Sequence, residues 1–192
     1  MFARQSAALA SALLAAHDFA DVGLLVDVGG GYGGLLLPIL RAHPAMRGVI
    51  VDLPHVAPGA AEQIRAAGLA GRCEFVGGDF FAAVPGGGDA YLLRNILRDW
   101  DDERAGALLR RCREALAPRG RLLIVDLVIP PGNEPGIAKR TDVVILTIIR
   151  GGADRTEAQF WVLLAAVGFR LGRVVPLPAG PALPEAVPTE GR

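Results

Sequence analysis

The segment Asp27-Val28-Gly29-Gly30-Gly31-Tyr32-Gly33-Gly34 holds the first residues able to do chemistry, a carboxylate followed by a run of glycines. Glycines let a ligand come closer to the backbone than a Cβ would allow. The residues around the acid, Leu24-Leu25-Val26-Asp27-Val28, are otherwise apolar, so a buried strand delivers the carboxylate to the edge of the turn. In α/β sheets, ligands collect outside the carboxyl ends of strands. Asp52, closing Val49-Ile50-Val51, and Asp79, following Gly77-Gly78, repeat the same arrangement of acid and strand end.

Two nucleotide patterns overlap on these glycines. Gly29-x-Gly31-x-x-Gly34 fits the dinucleotide fingerprint, while Asp27-x-Gly29-x-Gly31-x-Gly33 fits the acid-plus-glycine pattern of proteins that bind S-adenosylmethionine (SAM). A carboxylate at Asp52 can accept ribose hydroxyls in either class. Asp27 separates them, because SAM brings an ammonium and a sulfonium where a dinucleotide brings pyrophosphate, and an acid attracts the first and repels the second. An NAD-dependent oxidoreductase stays open on Gly29, Gly31, Gly34 and Asp52, and a plain turn-capping role stays open for Asp27 and Asp79.

The elements that must position these residues alternate. Strand-like runs cover Leu24 to Val28, Gly48 to Asp52, Cys73 to Val76, Ala90 to Ile96, Arg121 to Val128 and Phe169 to Pro176. Helix-compatible stretches lie near Leu35 to Ala42, Ala57 to Ala67, Asp101 to Ala117, Ile137 to Ile149 and Glu157 to Val167. Such alternation implies an α/β fold, with right-handed crossovers around a mainly parallel central sheet and helices on both faces. Pro38 calls for a late start or a kink in the first of these helices. Residues 130 to 136, PPGNEPG, read as an exposed loop, and no structure is expected from Pro188 onward.

Composition narrows the function classes. The 192 residues suit one domain, and 52% hydrophobic against 21% charged residues excludes a disordered chain. Twenty basic and twenty acidic residues leave no net charge to neutralise phosphates, which argues against nucleic acid as the partner. Cys73 and Cys112 form no metal or disulfide framework, so no metal is expected and a reducing cytoplasm fits. Residues 1 to 16 resemble a short export signal superficially, but their alanines suit a leading helix over 3 to 16. The best remaining apolar run, Val143 to Ile149, is too short for a bilayer.

Five segments then occur in order: Asp27 to Gly33, Val51-Asp52-Leu53-Pro54-His55-Val56, Phe75-Val76-Gly77-Gly78-Asp79-Phe80-Phe81, Asp99-Trp100-Asp101-Asp102-Glu103, and Gly151-Gly152-Ala153-Asp154-Arg155-Thr156-Glu157. Together they resemble the C-terminal catalytic domain of the SAM-dependent O-methyltransferases of the caffeic acid, hydroxyneurosporene and polyketide type, over nearly the whole chain. The resemblance implies a Rossmann-like class I methyltransferase fold, SAM as cofactor, and a small aromatic or polyketide-like acceptor. It places Asp27, Gly29 and Gly31 at the methionine end of SAM and Asp52, with Leu53 beside it, at the ribose. Asp79 falls at the adenine amino group, Phe80 on the adenine ring, and Arg94 toward the cofactor's polar groups.

Two departures qualify it. The family's catalytic His precedes the Asp-Trp pair, and here that position is Arg98, which stays protonated and cannot be a general base. The acids that flank that His appear as Asp126 and Asp154, so Arg98, Asp126 and Asp154 form the expected catalytic set. A neighbouring cation lowers a phenol's pKa by roughly 1–3 units, so Arg98 can replace a base electrostatically, unless Asp99, Asp101 and Asp102 take it into a solvated ion pair. His17, His43 and His55 suit structural or surface roles. The family also carries an N-terminal helical dimerisation domain with no counterpart here, which leads to an expectation of an open acceptor site, an exposed apolar patch, and a homodimer or partner subunit. A SAM binder that does not methylate, hydroxylase- or decarboxylase-like or degenerate, is the alternative.

Overall fold

A computed structural model of the protein describes residues 2–132, 134–178 and 180–189. Strands β1 (Leu24–Val28), β2 (Arg47–Asp52), β3 (Cys73–Gly77), β4 (Gly88–Arg94) and β5 (Leu116–Val125) pair in parallel in the order β3-β2-β1-β4-β5. The chain therefore winds outward from β1 in one direction to β3 and then returns to add β4 on the other side. That reversal leaves a crevice at the carboxyl ends of β1 and β4.

Helices α1 (Phe2–Ala16), α2 (Leu36–Ala42) and α3 (Ala57–Ala66) cover one face of the sheet, and α4 (Asp102–Ala115) and α6 (Glu157–Ala165) the other; α5 (Ile137–Ile148) lies outside both layers. The period of two along β1 sorts its side chains, with Leu25 entering the α1–α3 core and Val26 and Val28 the α4–α6 core. Asp27 thus points to the α1–α3 side. The leading helix docks through Ala10 and Leu13, both fully buried. Pro38 is the third residue of α2, so the helix starts late and no internal hydrogen bond is lost. Arg72 ties the α2–β2 connection together by donating to the carbonyls of Leu40, His43 and Met46.

Both ends of the fourth and fifth strands differ from the sequence-based expectation, the fifth strand ending at Val125 rather than Val128. The fourth strand starts at Gly88 and ends at Arg94, and the fifth starts at Leu116, because α4 stops at Ala115 and the chain is extended from there. The tail from Pro176 also forms more structure than its prolines suggested. Residues Ala182–Pro188 form β9, which runs antiparallel between β5 and β8 (Phe169–Pro176). Pro184 has no N–H, and the β5–β9 ladder breaks there. It is registered at Leu122–Ala186 and Leu123–Glu185, then resumes with the reciprocal bonds of Asp126 and Ala182. Two-residue strands β6 (Val128–Ile129) and β7 (Arg155–Thr156) make a small separate parallel pair.

Leu183 of β9 is wholly buried in the α1–α3 core. Leu183→Ala is expected to lower stability by about 2–5 kcal/mol in urea denaturation. A loss below about 0.5 kcal/mol would mean that this segment is a loose tail rather than a core strand.

Candidate active site

The glycine turn after β1 folds back onto β2, with the Gly29 and Gly30 N–H groups both donating to the Val51 carbonyl. Gly29 has φ +71°, and a Cβ there would lie 2.3 Å from Ile96 Cδ1. Gly31 has φ +56° with open space where a Cβ would stand. The first glycine is required for packing, and the second leaves a cradle for a ligand. Asp52 spans that cradle, since its Oδ2 accepts from Gly31 N–H at 2.8 Å and its Oδ1 from Leu53 N–H at 2.7 Å. Each oxygen keeps a second lone pair for a hydroxyl. Leu53 stands exposed beside it.

Asp27, Gly29, Gly31, Arg94 and Asn95 line a cavity of about 190 Å³ on the inner side of the turn. Asp27 is 2% exposed, and burial pushes its carboxyl up to about 7 even though Arg94 pulls the other way. Arg94 donates to Ser6 Oγ at 3.0 Å, while its buried Nε has no partner among the described residues. An acid poorly solvated by its burial, next to a guanidinium nitrogen with no partner among the described residues, suits a ligand end carrying both an ammonium and a carboxylate. The same acid at that wall disfavours pyrophosphate, so the dinucleotide reading of these glycines finds no support in the geometry.

Asp79 sits in the loop after β3, which Gly78 N–H ties to the Asp52 carbonyl at 2.9 Å. Its Oδ1 accepts from Phe81 N–H at 2.9 Å, so the turn-capping role is real, and Oδ2 has no protein partner among the described residues. Phe80 is half-buried beside Gly29, in an aromatic group with Phe81 and Trp100. Trp100 belongs to that packing, because Arg104 lies 4.4 Å from the centroids of both the Phe81 and Trp100 rings.

Beyond β4 the chain turns through Asn95, which adopts φ +55°, and this turn carries Arg98 inward. Arg98 Nη2 donates to Asp154 Oδ2 at 2.8 Å, and its Nε lies 4.0 Å from Asp126 Oδ1. The solvated pairing of Arg98 with Asp99, Asp101 or Asp102 is not what forms. Asp101 instead caps α4 by accepting from Arg104 N–H, and Asp102 pairs with Arg155. Burial raises Asp126 to about 7 and Asp154 to about 6, against the opposing pull of Arg98. Among the described residues, both Asp126 oxygens lack hydrogen-bond partners.

These residues share one rim with the glycine turn, at the carboxyl ends of the parallel strands. The family model for the O-methyltransferase domain matches residues 2–170. The chain belongs to the O-methyltransferase family. This methyltransferase domain is 46% identical over 180 residues to the phenazine O-methyltransferase of Lysobacter antibioticus, covering 94% of this chain and 52% of that one. It superposes on the crystal structure of LaPhzM with a TM-score of 0.91 at 45% identity, over 97% of this chain and 56% of that one. The O-methyltransferase of neocarzinostatin biosynthesis, solved with SAM and 2-hydroxy-5-methyl naphthoic acid, matches with a TM-score of 0.84 at 35% identity, over 93% of this chain and 52% of that one. The chain thus spans about half the length of the relatives it matches, and its α/β architecture is that of the class I SAM methyltransferases.

Two residues of the methyltransferase site escape sequence reasoning. Arg155 is 4% exposed and donates to the carbonyls of Leu97 and Trp100, which pins the turn that carries Arg98. Its signal lay in the same Gly-Gly-x-Asp-Arg segment that marked Asp154. Ser6 holds Arg94 from a helix separated by 88 positions, and nothing local in the sequence announces that pairing. His17 is structural, bonded to Glu185 at 2.8 Å, and is no part of the site. His43 stacks near Phe19 and His55 lies in the exposed turn after Leu53.

Asp27 titrates near 3.8 when unfolded and about 7 when folded, so its burial favours the native state at low pH and costs stability as pH rises from about 4 to 7. A bound ammonium reverses the preference. SAM binding at pH 6.5 is therefore expected to release a fraction of a proton, seen as a buffer-dependent calorimetric enthalpy. Asp27→Asn should abolish that release, weaken binding by tenfold or more, and stabilise the protein above pH 7 by roughly 1–4 kcal/mol.

Proposed function

We propose that this domain binds SAM along the rim from Asp27 to Asp79 and transfers its methyl group to a hydroxyl of a small aromatic or polyketide-like molecule. The observation that carries the proposal is the buried Asp27 carboxylate lining the glycine cradle beside the doubly anchored Asp52. Asp27 faces the ammonium and Arg94 the carboxylate of the methionine end. Asp52 holds the ribose, Asp79 Oδ2 takes the adenine amino group, and Phe80 and Leu53 cover the base. When bound, SAM supplies an electrophilic methyl carbon on a sulfonium, so that the O–C bond forms as the S–C bond breaks and its electron pair goes to sulfur.

Holding donor and acceptor together is the larger contribution, worth about 7–11 kcal/mol, whereas a general base adds about 10²–10⁴-fold. Arg98 supplies a fixed positive charge at the acceptor oxygen, and Asp154 and Asp126 keep the guanidinium in place. Removing it strands two buried acids, so Arg98→Lys is the cleaner variant. Arg98→Ala should lower kcat by roughly tenfold or more, and Arg98→Lys, which keeps the charge but not its fixed geometry, should lose less. SAM affinity, measured by calorimetry with NADH as the control ligand, should change less than threefold. Equal turnover in variant and parent would remove Arg98 from the reaction.

The acceptor side is completed by further protein, supplied by a second copy or a partner subunit. Val143, Val144, Leu146 and Ile148 on α5 are 51–70% exposed, and of this helix only Ala138 and Ile145 are buried. Among the described residues no helix is long and apolar enough to cross a membrane, so this face is not a bilayer span. Cys73 and Cys112 are free thiols, as a reducing cytoplasm would keep them. The 192-residue chain is expected to bind a hydrophobic dye through α5 and to self-associate in sedimentation, and Val144→Lys with Ile148→Lys should suppress both. A monomer that ignores the dye would contradict this placement.

A further inference from the structure

Resting on the proposed placement of adenine against Phe80, we propose that Arg104 is a positioning residue for that base, its guanidinium fixing the Phe81 and Trp100 rings and, through them, the ring on which adenine lies. The loop that carries Asp79 and Phe80 has no buried anchor of its own. None of the residues from 74 to 87 is buried, and Phe80, Phe81 and Val84 only lean on the α4–α6 core. The backbone of the loop is tied at short range, with Phe81 N–H donating to the Asp79 carboxylate and the Ala82 and Ala83 N–H groups to the Asp79 carbonyl. These bonds shape the turn and fix neither aromatic ring.

Helix α4 supplies what the loop lacks. Arg104 and Arg111 stand about two turns apart on one face of the helix. Arg111 Nε donates to the Phe81 carbonyl at 3.1 Å, and the Arg104 guanidinium lies over the Phe81 and Trp100 rings, 4.4 Å from each centroid. One arginine thus grips the loop's backbone and the other its rings. Trp100 meets Phe81 edge to face at 4.8 Å and 89°, and Phe80 in the same manner at 6.5 Å and 84°. Phe80 and Phe81 are tilted by 57° at 4.9 Å. On its other side Phe80 borders Gly29 of the glycine turn. A ring held in tilted contact with two others cannot turn without losing both contacts.

The helix itself does not call for a cation at this place. Arg104 lies in the first turn of α4, where a positive charge opposes the helix dipole. Its acidic neighbours are engaged elsewhere, since Asp101 accepts the backbone N–H of Arg104 and Asp102 pairs with Arg155. Among the described residues the guanidinium makes neither hydrogen bond nor ion pair, which leaves the two rings as its contacts. A cation over exposed aromatic faces gains only a little energy. Spent on a loop without a buried anchor, that energy lowers the ordering cost that adenine binding would otherwise meet.

S-adenosylhomocysteine binding, followed by calorimetry, tests this without an acceptor. Arg104→Ala is expected to weaken binding about threefold to tenfold, and Arg104→Lys, which keeps a cation over the rings, should recover most of that loss. Arg104 is exposed and Phe80 half-buried, so substitution at either leaves the core intact. A double-mutant cycle separates positioning from general support of the fold. In a Phe80→Leu background, where the positioned ring is gone, Arg104→Ala should change affinity by less than about 1.5-fold. An equal loss in both backgrounds would overturn the inference, as would parent-like affinity in Arg104→Ala or in Phe80→Leu, or a lysine variant no better than alanine. Failure of the parent to bind either SAM or S-adenosylhomocysteine would overturn the proposed function itself, and this inference with it.

Discussion

The cost of taking carboxylates out of water governs the carboxyl rim of this sheet. Asp27, Asp126 and Asp154 are each no more than 3% exposed, and an ionised carboxylate in such a place is sustained only by a cation or hydrogen bonds nearby. Arg94 and Arg98 are those cations, yet among the described residues each has a buried nitrogen without a partner, and neither restores its acid to the ordinary range. A core built only for stability would replace these groups with hydrocarbon. Buried acids with imperfect partners are the kind of group that binding and catalytic sites employ, which is what the proposed assignment of this rim draws on.

The topology explains why the costly groups stand together. Right-handed crossovers bring the carboxyl ends of β1 to β5 to one edge, so acids far apart in the chain at positions 27, 52, 79 and 126 share it. Two devices refine the placement. Asn95, in a left-handed conformation that asparagine tolerates, redirects the chain after β4, and Arg155 fastens the resulting turn through two carbonyls. Arg98 is thereby presented from a rigid turn, as a positioned charge requires.

The groups proposed to hold the cofactor and the α5 flank of the Arg98 cluster differ in how they are packed. Cavity, cradle and anchored carboxylate lie within the parallel sheet and its first turns. α5, which borders the Arg98 cluster through Asp142, holds to the rest by a narrow stripe and leaves its other sides apolar and bare. The chain spans about half the length of the relatives it matches.

The alternation of apolar runs and glycine or acid punctuation determined the class of fold, the five parallel strands and the order of the cofactor-facing residues, because these are local properties of strand, turn and helix start. Asp27, standing before the glycines, also carried the choice of SAM over a dinucleotide, since the charge at a strand end is written in the residue itself. β9 was not legible, because Pro184 and Pro188 argue locally against a strand and only pairing with β8 and β5 overrides them. The partners of Arg98 were not legible either. Three acids stand within four residues of it, yet the turn at Asn95 carries it to Asp126 and Asp154, the second of them 56 positions away. Electrostatic partnership in a buried site follows distance in space and access to water, and both are decided only when the chain closes.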